Sequence, residues 1–271
     1  VSVVGVALSI TSLAFAGEST VTWAKPPVGP AWAAGSGVNV RAEPSPGATI
    51  VRTLAMGAPV VPSSDPAGTL ILAGPLTLGE LTAPWLRVGP NEWVWSGALT
   101  TARVEADLDA DGDREVHVVA WRSDHHLVVR TTVASWPPER PAEEIDLGTF
   151  GDIEGPLDTA HLTLTSASET GVPMLRVVVP GREMCASGTR TRYVWWSGKR
   201  LVTVLEATDW ADAPIWTYDE LTFDPAAKSV VKTNRRSEDA EVEEITTQRF
   251  VWDGATFTPV GAPTHTTRKV Q

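Results

Sequence analysis

The sequence predicts an all-β fold, and three observations carry that prediction. Tryptophan dominates the aromatic residues, with 12 Trp against 5 Phe and 2 Tyr, and indole rings favour strands and half-buried surfaces. The 22 Gly and 21 Pro supply turn positions along the whole chain. Short runs such as Val38-Asn39-Val40-Arg41 alternate apolar and polar, the two-residue period of a half-buried strand. The 271 residues suit one large domain or two smaller ones, and they are enough to bury a core. A net charge of −11 argues against nucleic acid as a partner, because phosphate binding needs a basic face. The single Cys excludes an internal disulfide framework and a Cys-only zinc site.

Residues 1–16 are uncharged and mostly apolar, and they end in Ala14-Phe15-Ala16 before Gly17. The stretch is shorter than the roughly 20 residues of a membrane span. It resembles the apolar region and cleavage site of a secretory signal peptide, although a basic start is missing. That resemblance implies export, to the periplasm or the cell exterior. Residues 17–36 carry Pro26, Pro27, Gly29, Pro30, Gly35 and Ser36, which predicts a linker. Trp23 and Trp32 within it are placed to dock on the domain that follows.

Residues 37–101 read as a first small β domain. Val38–Arg41 is its first strand, and Glu43-Pro44-Ser45-Pro46-Gly47 is a dense turn. Thr49–Leu54 and Ala58–Val61 follow as strands. Trp85-Leu86-Arg87-Val88 and Glu92-Trp93-Val94-Trp95 pair across Gly89-Pro90-Asn91, and Ser96–Leu99 closes the unit. This order of VNVR, a Pro-Ser turn, WLRV and EWVW with a final Leu resembles a bacterial SH3-like (SH3b) domain over roughly 65 residues. Two departures stand out. The span from Pro62 to Pro84 is long and holds its own apolar patch, Leu70-Ile71-Leu72, and Glu92 stands where the family has Gly. The resemblance implies a small barrel that binds cell-wall peptides or glycans, or a protein partner. It makes Trp85, Trp93 and Trp95 the candidate ligand-binding residues. Alternation sends Trp93 and Trp95 to one face and Val94 to the other; which of those faces is core stays open.

Residues 102–262 form a second region, predicted as an antiparallel β meander, and a short tail, 263–271, is expected to fray. From Ala102 onward the chain holds 28 of its 33 acidic and 18 of its 22 basic residues. The most informative segment is Asp107-Leu108-Asp109-Ala110-Asp111-Gly112-Asp113-Arg114-Glu115. Oxygen ligands at alternate positions, with Gly at the sharp turn, are what a calcium loop needs. Asp107, Asp109 and Asp111 stand at positions 1, 3 and 5. Asp113 is placed to offer its backbone carbonyl at position 7, and Glu115 follows at position 9. Position 12 of the EF-hand template is Val118, inside the strand Val116–Trp121, so this is not an EF-hand. The segment is instead similar to the calcium loop of FG-GAP and VCBS-type repeats, which sits between strands of a β-propeller blade. The competing interpretation is an acidic, solvated hairpin turn without an ion.

The rest of the second region reads as strands and turns, among them Leu127–Arg130, Leu162–Thr165, Leu175–Val179, Tyr193–Trp196, Leu201–Val204 and Phe250–Trp252. Trp196-Ser197-Gly198 and Trp252-Asp253-Gly254 match as aromatic strand, tight turn and apolar strand, a weak internal repeat. Four propeller blades of about 40 residues would just fit the region, and the pattern leaves propeller-like and sandwich-like closure open.

No G-x-S-x-G, H-E-x-x-H or phosphate-binding Gly loop occurs. Asp124-His125-His126 reads as a polar turn flank, and Cys185 with His161 is supported by residue type alone. Glu143-Glu144 and the run Glu238–Glu244 read as solvated acidic faces. The expectation is therefore an exported, non-enzymatic binding protein with calcium as its cofactor and no assigned catalytic residue. The alternatives are a cell-wall hydrolase with its catalytic groups in the C-terminal region, and a purely structural or adhesion module.

Overall fold

The computed structural model describes residues 22–23, 26–27, 29–79, 81–122, 126–137, 140–148, 160–183, 186–212, 214–239 and 241–270. The expected signal segment, 1–16, lies outside these residues, as do Asp124, His125 and Cys185. Among the described residues the elements are strands, one 3-10 turn and one single-turn helix, which makes the protein all-β. Among the described residues no helix is long and apolar enough to cross a membrane.

The N-terminal unit begins with β1 (Thr22–Trp23), β2 (Ala31–Ala33), β3 (Val38–Arg41), β4 (Ile50–Leu54) and β5 (Pro59–Val60). It continues through β6 (Leu72–Leu78), β7 (Leu81–Gly89) and β8 (Glu92–Trp95), a 3-10 turn at Ser96–Ala98, and β9 (Leu99–Thr100). One sheet runs β1-β7-β8-β3-β4 with β6 on β7, and a second runs β5-β2-β9. Their enclosed core holds Val40, Leu54, Val60, Leu86, Val94 and Leu99 with Ala31 and Ala33. Alternation thus resolves in favour of Val94 as core, and Trp93 and Trp95 lie on the outer face.

One expectation needs correction here, and one departure gains its structure. The segment 17–36 is not all linker: β2 is the middle strand of the second sheet, and Ala31 and Ala33 are 1% and 0% exposed. Its short, small-residue sequence carries no alternation signal, yet small side chains are what a tightly closed sheet admits. The long span after Pro62 is also structured, because β6 and β7 form a hairpin from Leu72↔Leu86 to Leu78↔Leu81. Its register shifts between Ala73 and Pro75, where proline cannot donate to the ladder.

The next sheet is a four-stranded meander, β10 (Arg103–Ala106), β11 (Glu115–Trp121), β12 (Leu127–Val133) and β13 (Glu143–Asp146). It is followed by β14 (His161–Thr165), α1 (Ala167–Thr170), β15 (Met174–Glu183), β16 (Ala186–Trp196) and β17 (Leu201–Asp212). Then come β18 (Ile215–Asp224), β19 (Ser229–Ser237), β20 (Val242–Trp252) and β21 (Phe257–Lys269). Strands β14 to β21 hydrogen-bond in sequence order as one eight-stranded antiparallel sheet. The single turn α1 is closed by a capping box, with Ser166 N donating to Glu169 Oε2 at 2.7 Å.

That eight-stranded sheet is split at its middle. Strands β17 and β18 pair only from Asp209↔Tyr218 to Asp212↔Ile215. Away from this hairpin end they part, and apolar residues from both sides join in one cluster, with Tyr193 and Leu205 on one side and Val230 and Phe257 on the other. Asp219 and Lys232 stitch the split: they pair at 3.0 Å, Thr208 N donates to Asp219, and Lys232 donates to the Glu206 carbonyl. The matching Trp-x-Gly turns fall at the same place in the two halves, between β16 and β17 and between β20 and β21. Ser197 N donates to Arg200 O and Asp253 N to Thr256 O, each at 3.1 Å.

The largest core cluster joins three parts of the chain. It holds Leu81 and Ala83 of β7, Val119, Leu127 and Val129 of the four-stranded sheet, and Leu175, Val177, Val194 and Trp196 beyond it. The tail from 263 onward, expected to fray, is the second half of β21, paired through Val242↔Lys269. The acidic run is not wholly solvated either. Glu243 is 4% exposed and is held by Arg235 and Arg268.

Candidate metal centre

The loop from Asp107 to Arg114 joins β10 to β11, and the residues that flank it are anchored inside. Leu108 is 3% exposed and belongs to the main core cluster. Glu115, the first residue of β11, is 0% exposed. Its Oε2 accepts a hydrogen bond from Leu108 N at 2.9 Å. The turn is closed by its own carboxylates: Asp107 accepts from the Asp111 and Gly112 backbone N–H groups at 3.2 and 3.0 Å, and Asp111 Oδ1 accepts from Asp113 N at 2.8 Å. Ala110 and Gly112 both have positive φ, 60° and 96°. The loop is wound so tightly that its acidic side chains converge.

One carboxylate oxygen from each of Asp107, Asp109, Asp111 and Glu115 lies within 4.8 Å of the other three. Two oxygens on opposite sides of one calcium ion stand about 5 Å apart, so this spread suits a single ion. Asp109 Oδ1 and Glu115 Oε1 are buried and have no hydrogen-bond partner among the described residues. Burial pushes the Glu115 carboxyl up to about 7, and the Asp109, Asp107 and Asp111 charges add to the rise while the Leu108 N–H opposes it. Burial also raises Asp109, with help from Asp111 and Asp107. Uncompensated carboxylates this close repel one another, and desolvated oxygens without partners are unfavourable. A bound divalent cation reverses both effects. The donors are oxygen only, which selects a hard cation and excludes a thiolate or imidazole metal site.

Four of the five residues expected at the metal therefore come together. The Asp113 side chain does not join them; its Oδ2 accepts from Ser135 Oγ at 2.7 Å. That leaves its backbone carbonyl as the group it can offer. Val118, at position 12 of the EF-hand template, is buried at 0% exposure in β11.

The three candidate tryptophans share the outer face of the β7–β8 sheet, through the pairs Trp85↔Trp95 and Arg87↔Trp93. Trp85 is buried at 4% exposure. Trp95 is half-buried, and its Nε1 donates to the Leu76 and Ala83 carbonyls, both at 3.1 Å. Trp85 and Trp95 line a common cleft whose lining does not include Trp93.

Other chemistry weighed from the sequence gains no partner set. His161 is exposed, and Cys185 lies outside the described residues. His126 Nδ1 meets Asp146 Oδ2 at 2.7 Å, beside the Arg122–Asp146 pair at 2.9 Å. Glu144 is paired with Arg130 at 2.6 Å. One further residue is unusual: His117 is 0% exposed, its Nδ1 meets Thr131 Oγ1 at 2.8 Å, and Nε2 has no partner among the described residues. Burial pushes its imidazole down to about 3. The available signal was its place in EVHVVAW, on the same strand face as Glu115, Val119 and Trp121.

No family model, curated protein or solved structure matches the chain.

Proposed function

We propose that this is an exported, non-enzymatic binding protein whose N-terminal barrel, SH3-like in its sequence landmarks, engages cell-wall material or a protein partner, and whose β sheets are braced by calcium. The observation that carries the calcium part is Glu115: a fully buried carboxylate with an unpartnered oxygen, directed into a cluster of three aspartates. Asp107, Asp109, Asp111 and Glu115 supply side-chain oxygens, and Asp113 supplies its backbone carbonyl. The ion neutralises the loop and ties it to the first residue of β11. Weak sites of about 10⁻⁴–10⁻³ M fill in an extracellular setting. The SH3-like landmarks carry the binding part, together with the aromatic outer face of the barrel.

Thermal melting in calcium and in chelator tests the metal. At calcium ten times above its dissociation constant the native state gains about 1.4 kcal/mol. Wild type should melt higher in calcium, and Asp109→Ala should lose most of that difference. Identical melts of wild type in the two buffers would overturn the site. Retention on purified cell wall, compared between wild type and a Trp93→Ala, Trp95→Ala double variant, tests the binding part.

A further inference from the structure

The outer face of the barrel is roofed, and the space beneath the roof has an unusual charge. Alternation in VNVR points Val38 and Val40 at the barrel core and leaves Asn39 and Arg41 on the face that carries Trp85 and Trp95. The β6–β7 hairpin brings Leu76 and Leu78 over that face. From the neighbouring sheet comes Arg130, whose Nη1 donates to the Ala34 carbonyl at 3.0 Å. Ala34, Ala120 and Val128 pack together and fix the barrel to that sheet. Between these parts lies a cleft of about 350 Å³. That is at the lower end of small-ligand sites.

Among the described residues no acidic side chain lines this cleft, in a chain of net charge −11. Arg130 is balanced by Glu144, which accepts from its Nε at 2.6 Å. Arg41 is not balanced. Its Nη1 donates to the Ala48 carbonyl at 2.6 Å, and no carboxylate pairs with it among the described residues. Tethering to a backbone carbonyl holds the guanidinium in place while leaving its charge uncompensated. The indole N–H of Trp95 is already committed to two carbonyls, so its ring can offer a ligand only apolar surface. An apolar wall beside a fixed, unneutralised arginine selects an apolar group that carries an anion, and guanidinium matches a carboxylate in shape as well as charge.

We propose that this cleft receives the C-terminal residue of a peptide, its free carboxylate on Arg41 and its side chain against Trp95, Leu76 and Leu78. The proposal deepens the binding function above and rests on it. It also makes the site composite, because Arg130 comes from outside the barrel.

The probe is N-acetyl-Ala-Leu as the free acid, compared with its C-terminal amide by calorimetry on the full chain. The acid should bind and the amide should be at least about tenfold weaker, a difference of about 1.4 kcal/mol. Arg41→Gln should abolish that preference, while Arg52→Gln, at a surface pair with Glu92, should leave it intact. The acid–amide comparison on wild type needs no variant to fold. Equal affinity for the two forms, or no binding of the acid up to about 10 mM, would overturn the proposal. Cell-wall retention separates the two claims. Retention that survives Arg41→Gln sinks the cleft and keeps the binding function; acid-selective peptide binding without wall retention keeps the cleft and removes the wall as its source.

Discussion

Gly198 lies directly against Asp109: a β-carbon at Gly198 would stand 2.8 Å from Asp109 Oδ2. The turn between β16 and β17 therefore covers the acidic loop between β10 and β11, and the carboxylate cluster sits at a junction of two sheets. The same glycine has φ +75°, a conformation that an L side chain resists. Gly198→Ala should lower stability by about 1–2 kcal/mol from the backbone alone. The new methyl group also displaces the Asp109 carboxylate. Denaturant titrations should thus show a larger loss in calcium than in chelator. An equal loss in both would detach this turn from the ion.

Glu115 contributes one pH dependence to the stability of the calcium-free protein. Its native pKa, about 7, lies above the ordinary value of 4.5. Between those values the native state binds more protons than the unfolded state, so this group's contribution to stability falls as pH rises from about 4.5 to 7. In chelator, Glu115→Gln should remove that dependence and raise stability at pH 8. In calcium the same variant should be less stable than wild type, because it has lost a charged ligand. Calcium affinity of the wild type should drop as pH falls below about 7, since protons compete for the site. Calorimetric titration at pH 6 and pH 8 measures this directly.

His117 acts with the opposite sign. Its native value, about 3, lies below the ordinary 6.5, so the neutral ring is favoured in the fold. Its contribution to stability is present above about pH 6.5 and is lost as pH falls towards 3. The two windows overlap between about 4.5 and 6.5, where Glu115 and His117 oppose each other. Wild type in chelator should change little there. His117→Gln should leave stability rising as pH falls through that interval, and Glu115→Gln should leave it falling. Urea midpoints at pH 4.5, 5.5 and 6.5 would reveal the crossing slopes, and parallel slopes for the two variants would refute the opposition.

How much of this was legible in the sequence depends on what each residue borders. Strands with one buried face announced themselves: VNVR and EWVW alternate because Val40 and Val94 enter a core while their neighbours are only half-buried. The acidic loop was legible because ligand spacing is a local property. Strand β21 gave no comparable signal, since beyond Phe257 it is largely exposed, with Thr258, Thr264, Thr266 and Thr267 spread over both faces. β2 was hidden by its small residues and flanking prolines. The cover of Gly198 over Asp109 and the reach of Arg130 to Ala34 are long-range contacts. No local pattern encodes them.

Ala110 carries the loop's unfavourable backbone. Its φ of +60° places an L residue in the left-handed region. That costs about 1–2 kcal/mol, partly offset by the greater entropy glycine would lose on folding. Ala110→Gly should raise stability by about 0.5–1 kcal/mol in chelator, with calcium affinity unchanged or higher. A loss of stability on this substitution would show that the Ala110 methyl group packs usefully where the backbone argument sees only strain.

The C-terminal strand offers the clearest test of where sequence pattern misleads. A Thr-rich ending looks expendable, yet Arg268 in it pairs with Glu243, whose side chain is 5% exposed. Arg235 is the second partner of that carboxylate. Those partners hold Glu243 below the usual carboxylate range against the opposing effect of burial. Ending the chain after Ala262 would strip one arginine from a buried carboxylate and remove the ladder from Val242↔Lys269 through Thr247↔Thr264. Such a truncation should destabilise the protein by at least about 2 kcal/mol, since a buried charge loses a partner together with backbone hydrogen bonds. Arg268→Ala alone should account for about 1–2 kcal/mol of it. Both losses should shrink as pH falls through the Glu243 titration, because a depressed native pKa contributes stability only while the carboxylate is charged. Equilibrium denaturation of the full chain, the truncation and Arg268→Ala at pH 7 and pH 3 measures each part, and a truncation as stable as the full chain would return residues 263–271 to the status of a frayed tail.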